Sequence, residues 1–144
     1  MAPCGEHADT ALRPSEKNFR LMIDAVRDHA LFMLDPAGRI INWNDGAERM
    51  TGWSEAEILG GSFAILLGSD AAPDAAAERL CAMARRDGRV EEEGRHRRRD
   101  GAIIPVITTL TVLAAPSGID HGFAAVMRDV TESRRAEDRQ RVLV

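Results

Sequence analysis

The side chains that most often carry catalysis or bind metals are few and scattered in this sequence. Its two cysteines, Cys4 and Cys81, lie far apart, and neither belongs to a pair with the spacing of a zinc or redox site. Glu55 and Glu57 follow Ser54 as in a capping box, so the start of a helix explains them without acid–base catalysis. The sequence contains neither a glycine-rich phosphate loop nor a nucleophile elbow. We therefore predict a protein that is not an enzyme and that holds no metal ion.

The charged residues do not form a surface suited to nucleic acid. The 144 residues carry a net charge of −4, and the one basic run, residues 95–99, directly follows the acidic residues 91–93. A charged run of this kind is typical of a solvated strand edge. The apolar runs are only a few residues long, and no hydrophobic signal segment opens the chain. We predict one cytoplasmic domain with no membrane insertion and no nucleic-acid partner.

The first half of the chain predicts a helix followed by a β-hairpin. Residues 1–14 have no periodicity and are interpreted as a flexible leader. After them, apolar residues at positions 19, 22, 23 and 26 have the spacing of one helical stripe. Residues 30–34 and 39–43 flank an Asp-Pro-Ala-Gly sequence, which favours a tight turn between two strands.

The remaining segments predict short helices, one longer helix and three strands. Asn44 can cap a short helix that ends at Gly52, and residues 73–87 have Pro near the start and Gly88 beyond the end. Three strand-like stretches, separated by hairpin signals, cover residues 90–98, 103–113 and 122–130. We predict an α+β fold in which several helices cross a five-stranded antiparallel sheet, with an N-terminal helix and a charged C-terminal helix.

In their order and spacing, these segments resemble the PAS sensor domain of bacterial sensor histidine kinases. The resemblance is carried by residues 32–38, 41–44, 46–49 and 52–60 in the first half and by residues 98–101 and 122–131 in the second. It implies a PAS domain over residues 15–130, including the N-terminal flanking helix, and a connector helix over residues 131–144. It also implies a sensory or interaction module of bacterial signal transduction, which relays a small-molecule or protein-contact signal to a histidine kinase or another effector.

The resemblance disfavours the flavin of the light-sensing members. Four positions differ from the flavin contacts of those members, which use a reactive cysteine, a glutamine, an asparagine and a signalling glutamine. The residues at these positions are Phe63, Leu67, Val106 and Met127. We therefore predict no cysteinyl-flavin. A flavin- or other cofactor-carrying redox or light sensor remains the alternative function.

Heme is disfavoured as well. The heme-binding members of the resembled family use a histidine on the long helix, and residues 73–87 contain none. His29, His96 and His121 lie at predicted strand or turn boundaries, which is typical of solvated or capping histidines rather than axial ligands.

A small ligand pocket is possible between the predicted sheet and helices, and a core filled by side chains is the alternative. The pocket candidates are apolar or small residues on the strands, the loop and the long helix. They are Phe32, Leu34, Trp43, Phe63, Leu66, Leu80, Met83, Thr109 and Met127.

The junction between the last strand and the C-terminal helix is the predicted signal exit. We expect Thr131 to N-cap this helix, and Asp129 to accept from nearby backbone amides or to pair with an arginine such as Arg99. In the resembled family this hinge couples the sheet to the effector, and a purely stabilising cap is the alternative.

A homodimer is expected through the N-terminal helix and the outer face of the sheet, because the last long strands carry apolar residues on both faces. The interface candidates are Phe19, Met22, Ile23 and Val26. Alternatively, the helix folds back over its own sheet without dimerising.

Overall fold

The computed structural model describes residues 18, 21–68, 72–114, 117–118 and 120–143, and it has the predicted α+β architecture. Residues 21–25 are helical and precede the first strand; the predicted leader and Phe19 lie outside the described residues. The elements that follow are β1 (Ala30–Leu34), α1 (Asp45–Thr51), α2 (Glu55–Ile58), a 3-10 turn (Phe63–Leu67), α3 (Pro73–Asp87), β2 (Arg89–Arg97), β3 (Ile103–Ala114), β4 (Asp120–Asp129) and α4 (Thr131–Leu143).

The sheet is antiparallel throughout, with the strand order β1-β4-β3-β2. Its inner face follows the period of two: Phe32, Leu110 and Ala125 are all buried and lie in one cross-strand row. On this face α3 packs against β2 and β3, and α1 packs against β1. The hydrophobic core fills the layer between the sheet and these helices.

The described part of the chain contains four strands instead of the predicted five. Residues 39–43 form only isolated bridges, from Arg39 to Ser62 and from Leu34 to Ile40. The reason is that two asparagine side chains take the place of backbone carbonyls beside β1. Asn42 Oδ1 accepts from the amide of Met33 at 2.7 Å, and Asn44 Oδ1 accepts from the amide of Leu31 at 2.9 Å.

Asn44 joins three parts of the fold. It is buried, and its Oδ1 also accepts from the amide of Ala47 at 2.8 Å, which confirms the predicted cap of α1. Its Nδ2 donates to three backbone carbonyls in and after the N-terminal helical segment, at 3.0–3.2 Å; these belong to Ile23, Val26 and His29. Gly46 is required beside it, because a Cβ atom there would overlap the His29 carbonyl.

The local helix signals are confirmed. Ser54 and Glu57 form the capping box of α2, Gly52 ends α1 with a φ of 80°, and α3 has the predicted bounds. None of the helices within the described residues is both long and apolar enough to cross a membrane.

Candidate functional site

The half of the interior under β1 and β4 is filled by side chains. The rings of Phe32 and Trp43 lie with their centroids 5.0 Å apart, and Met127 is 1% exposed. The indole N–H of Trp43 donates to the carbonyl of Trp53 at 2.8 Å, so this buried ring has its polar partner inside the fold. This half therefore has the dense packing of an ordinary core.

Seven of the nine pocket candidates are buried in the hydrophobic core. Those that are buried are Phe32, Leu34, Trp43, Phe63, Leu66, Leu80 and Met127. Met83 is partly buried and packs against them from α3. Thr109 lies on the outer face of β3, opposite Glu91 and Val126, because its neighbours Thr108 and Leu110 are the buried ones. Thr109 was therefore placed wrongly by one residue, and Thr108 takes its position inside.

A cavity of about 200 Å³ lies in the other half, where α3 and the 3-10 turn meet β2 and β3. Its apolar wall is formed by Leu67, Ala76 and Leu80, and its polar wall by His96 and Thr108. Leu80 is the one pocket candidate that lines it. The volume is below the roughly 300–1,000 Å³ of drug-sized ligand pockets, so the cavity suits a small molecule.

His96 is a buried residue, although its place in a basic run predicted a solvated histidine. It lies near the end of β2 and is 5% exposed. Its Nε2 is 3.4 Å from Thr108 Oγ1, and its Nδ1 is buried without a hydrogen-bond partner in the described structure. Burial lowers the pKa of His96 to about 4, so the ring is neutral at neutral pH.

Opposite charges flank the cavity. The guanidinium of Arg79 on α3 donates to both carboxylate oxygens of Glu92 on β2, at 2.8 and 2.9 Å. Both side chains line the cavity and are partly exposed, so this ion pair stands between the cavity and solvent. Arg95 lines the same region.

The sequence did contain a signal for His96. Val90 is buried on β2, and a period of two from it passes through Glu92 and Gly94 to His96. The run of charges in residues 91–99 hid this alternation. Only the position of the helix against the strand, which is a tertiary feature, completes the cavity.

The junction from sheet to outgoing helix has a single residue, Val130, between β4 and α4. The carboxylate of Asp129 accepts from the amide of Thr131 at 2.9 Å and from its hydroxyl at 2.5 Å. The amide of Arg134 donates to the carbonyl of Val130, so Val130 is the N-cap residue. The prediction that Thr131 caps the helix is thus wrong; its hydroxyl donates to Asp129 instead. Arg134 also forms an ion pair with Glu93 of β2.

Of the two alternatives predicted for Asp129, the structure has the bond from a backbone amide, that of Thr131, whereas Arg99 lies elsewhere and does not pair with it. The guanidinium contacts Glu57 of α2 at 2.7 Å and lies over the ring of Trp53, with 5.5 Å to the centroid. Hydrogen bonds from Ser54, aided by the charge of Arg99, lower the pKa of the Glu57 carboxyl. Arg99 therefore joins the β2–β3 hairpin to α2.

Comparison with known proteins decides the family. The PAS domain profile matches residues 28–132. This chain belongs to the PAS family. It is 36% identical over 121 residues to two-component system protein A of Emericella nidulans, covering 84% of this chain and 18% of that protein. It is 29% identical to the sensor protein FixL of Bradyrhizobium diazoefficiens, covering 93% of this chain and 26% of that protein. The chain thus spans 18% and 26% of the lengths of these two relatives.

A solved structure shows the same fold. The PAS domain of a Colwellia psychrerythraea protein has a TM-score of 0.71 at 22% identity, covering 81% of this chain and 97% of that chain. The family and the two-component relatives place this PAS domain among the sensor modules of signal transduction.

The residues of this PAS domain do not fit a cysteinyl-flavin. Phe63, Leu67, Val106 and Met127 are all buried and apolar, so none of the four offers a thiol or amide to a flavin ring. The buried thiol of Cys81 lies on α3, and its burial raises its pKa, which disfavours a reactive thiolate.

The described residues offer no histidine on α3 to a heme iron and no cluster of ligands to a metal ion. Helix α3 contains no histidine. Among the described residues, no group of three or more His, Cys, Asp or Glu side chains could hold a metal ion.

The predicted dimer residues lie before β1. Met22 is 58% exposed, whereas Ile23 and Val26 are half-buried. Phe19 lies outside the described residues.

Proposed function

We propose that this PAS domain senses a small molecule or a protein contact and relays the signal through α4 to a histidine kinase or another effector. In this proposal the domain works in the cytoplasm as a homodimer and has no catalytic activity of its own. The observation that carries the proposal is the one-residue junction between β4 and α4. Because Val130 is buried and Asp129 holds Thr131, a shift of β4 must move the start of α4.

A second contact supports the same relay. The ion pair between Glu93 and Arg134 joins the first turn of α4 to β2, the strand that lines the cavity. Adjacent strand residues face opposite sides, so Glu92 faces the cavity while Glu93 faces α4. A change in the cavity can therefore reach the helix through one strand.

The test is a fusion of the 144-residue chain to a histidine kinase catalytic region. Asp129→Ala and Thr131→Ala should lower the regulation of autophosphorylation while the melting temperature changes by only a few degrees, because each removes contacts at the junction alone. Ser133→Ala, an exposed change on the same helix, is the control. Full regulation in both folded junction variants would show that the hinge is only a cap.

The homodimer is supported by apolar residues on the outer face of the sheet and in the helical segment. Ile103 and Val126 are 41% and 38% exposed there, and Met22 is more exposed still. Sedimentation at tens of micromolar protein should give a dimer. Ile23→Asp should dissociate it, whereas Ala25→Asp, on the other side of the helix, should not. A monomeric parent would contradict the proposal.

An absorbance spectrum of the purified chain tests the cofactor alternative. An apo domain is colourless in the visible range, whereas flavin and heme both absorb there. A stoichiometric chromophore would favour the cofactor-carrying sensor.

A further inference from the structure

A buried histidine with an unused hydrogen-bonding atom lines the cavity described above. His96 is 5% exposed, its one contact is the 3.4 Å approach of Nε2 to Thr108 Oγ1, and Nδ1 has no partner among the described atoms. Buried polar groups in native proteins are nearly always hydrogen-bonded, and the exceptions usually mark an unseen water or a function. His96 therefore combines a buried ring nitrogen that has no partner among the described atoms with a place in the lining of the cavity.

The size and walls of the cavity limit what can bind. An apolar cavity of about 150 Å³ holds a benzene molecule, and this cavity encloses about 200 Å³. It therefore accommodates about eight non-hydrogen atoms. Leu67, Ala76 and Leu80 supply an apolar wall, which suits a hydrocarbon or aromatic body rather than a sugar or a nucleotide.

The charges around the cavity favour an uncharged ligand. The imidazole is neutral at neutral pH because burial lowers the pKa of His96 to about 4. The carboxylate of Glu92 repels an anion and already occupies the guanidinium of Arg79 through two hydrogen bonds. Arg79 and Arg95, which also line the cavity, repel a cation. Among uncharged groups, a hydroxyl both donates and accepts through one small atom and so fits either tautomer of the neutral ring.

We infer that this cavity binds an uncharged alcohol or phenol of about eight non-hydrogen atoms, whose hydroxyl pairs with the imidazole of His96 while its apolar body lies against α3 and the 3-10 turn. The inference names a class of stimulus for the sensory function and rests on that proposed function for its biological role. The binding itself can be measured independently of that role.

Benzyl alcohol is the first probe, with toluene and benzoate as matched ligands that lack the hydroxyl or add a charge. Titration calorimetry on the 144-residue chain should give benzyl alcohol about tenfold tighter binding than either, since a tenfold change corresponds to one net hydrogen bond. The nitrogen resonances of the His96 ring should shift with benzyl alcohol and stay unchanged with toluene. Equal affinity for toluene and benzyl alcohol would overturn the role of the imidazole.

Two variants test separately the hydrogen bond to His96 and the volume of the cavity. His96→Leu keeps a side chain of similar size and should lose the tenfold preference for benzyl alcohol over toluene. Ala76→Phe fills the cavity from α3 and should abolish the binding of both probes, with thermal unfolding confirming that each variant is folded. His121→Leu, an exposed change on β4, should leave both affinities unchanged. Unaltered binding of benzyl alcohol to folded Ala76→Phe would place its site elsewhere and overturn the inference.

The kinase fusion distinguishes this inference from the sensory function. If the junction variants alter kinase output but benzyl alcohol does not bind the parent chain, the relay stands and the ligand class is wrong. If benzyl alcohol binds through His96 but kinase output is the same with and without the PAS domain, the site stands and the relay is wrong.

Discussion

The buried asparagine in one half of the interior and the buried histidine in the other differ in how fully they are hydrogen-bonded. In the half under β1, Asn44 is 2% exposed and uses both ends of its amide in hydrogen bonds. In the half under β2 and β3, His96 has one long contact and faces a cavity of about 200 Å³. A buried polar group whose partners are all internal fixes the fold, whereas one with unused capacity can exchange partners with a ligand.

The largest difference should come from the same substitution made in each half. Leu34→Ala removes a fully buried side chain of β1 and should lower the free energy of unfolding by about 4 kcal/mol. Leu80→Ala enlarges an existing cavity, where the leucine already lacks contacts on one side, and should lower it by about 2 kcal/mol. Urea denaturation measures both. An equal or larger loss for Leu80→Ala would show that the cavity wall is packed as tightly as the filled half.

Asn44→Ala should have the next largest effect. It leaves several buried backbone groups without partners and should destabilise the domain by about 3 kcal/mol. Asn42→Ala is the matched change, because the Asn42 side chain accepts from the Met33 amide and is only half-buried. We expect about 1 kcal/mol for it in the same urea experiment. Similar losses in the free energy of unfolding for the two variants would show that Asn44 does not hold these elements together.

His96, in the half of the interior under β2 and β3, should make the free energy of unfolding depend on pH. The folded-state pKa of His96, about 4, lies below the ordinary value of 6.5, so protons bind the unfolded chain first. Its effect on stability is therefore absent above pH 6.5, and the free energy of unfolding falls by up to about 1.4 kcal/mol per pH unit as pH drops from there toward 4. Arg79, Glu92 and Arg95 are the charged groups that line the cavity beside the ring.

Denaturation between pH 7 and pH 5 checks this slope. His96→Leu should flatten it, whereas the exposed His121→Leu should keep it. An unchanged slope in His96→Leu would mean that the ring is hydrated in the folded domain.

The smallest effect on stability should come from breaking the ion pair that joins β2 to α4. Arg134→Ala breaks a partly exposed ion pair with Glu93 and should change the free energy of unfolding by no more than about 0.5 kcal/mol. Its effect on kinase output in the fusion should nevertheless exceed that of Arg135→Ala, since Arg135 pairs with Glu132 within the helix. Equal kinase output from the two variants would show that β2 does not take part in the relay.

Local signals in the sequence predicted most of the fold. Helix α3 and the three long strands were predicted to within two residues, because Pro73, Gly88 and the turn residues act on their own neighbours. The fifth strand was wrong because alternation cannot reveal that Asn42 replaces a backbone acceptor.

The site was harder to predict than the fold. Placing Thr109 inside was an error of one residue, which in a strand moves a side chain to the opposite face. The solvated charges beside His96 predict a solvated histidine, whereas the structure has a buried one. The cavity depends on how α3 lies across β2, and no short segment of sequence contains that information.

Asn42 and Asn44 also affect how the edge strand β1 can interact with other molecules. β1 is the last strand of the sheet on its side, and an unpaired outer strand offers its amides to any extended chain, which is a common route to aggregation. Here the outward amides of Leu31 and Met33 already donate to Asn44 and Asn42. A strand from another molecule would have to displace both side chains before it could pair with β1. The edge strand β1 is therefore protected against edge-to-edge aggregation although no other strand covers it.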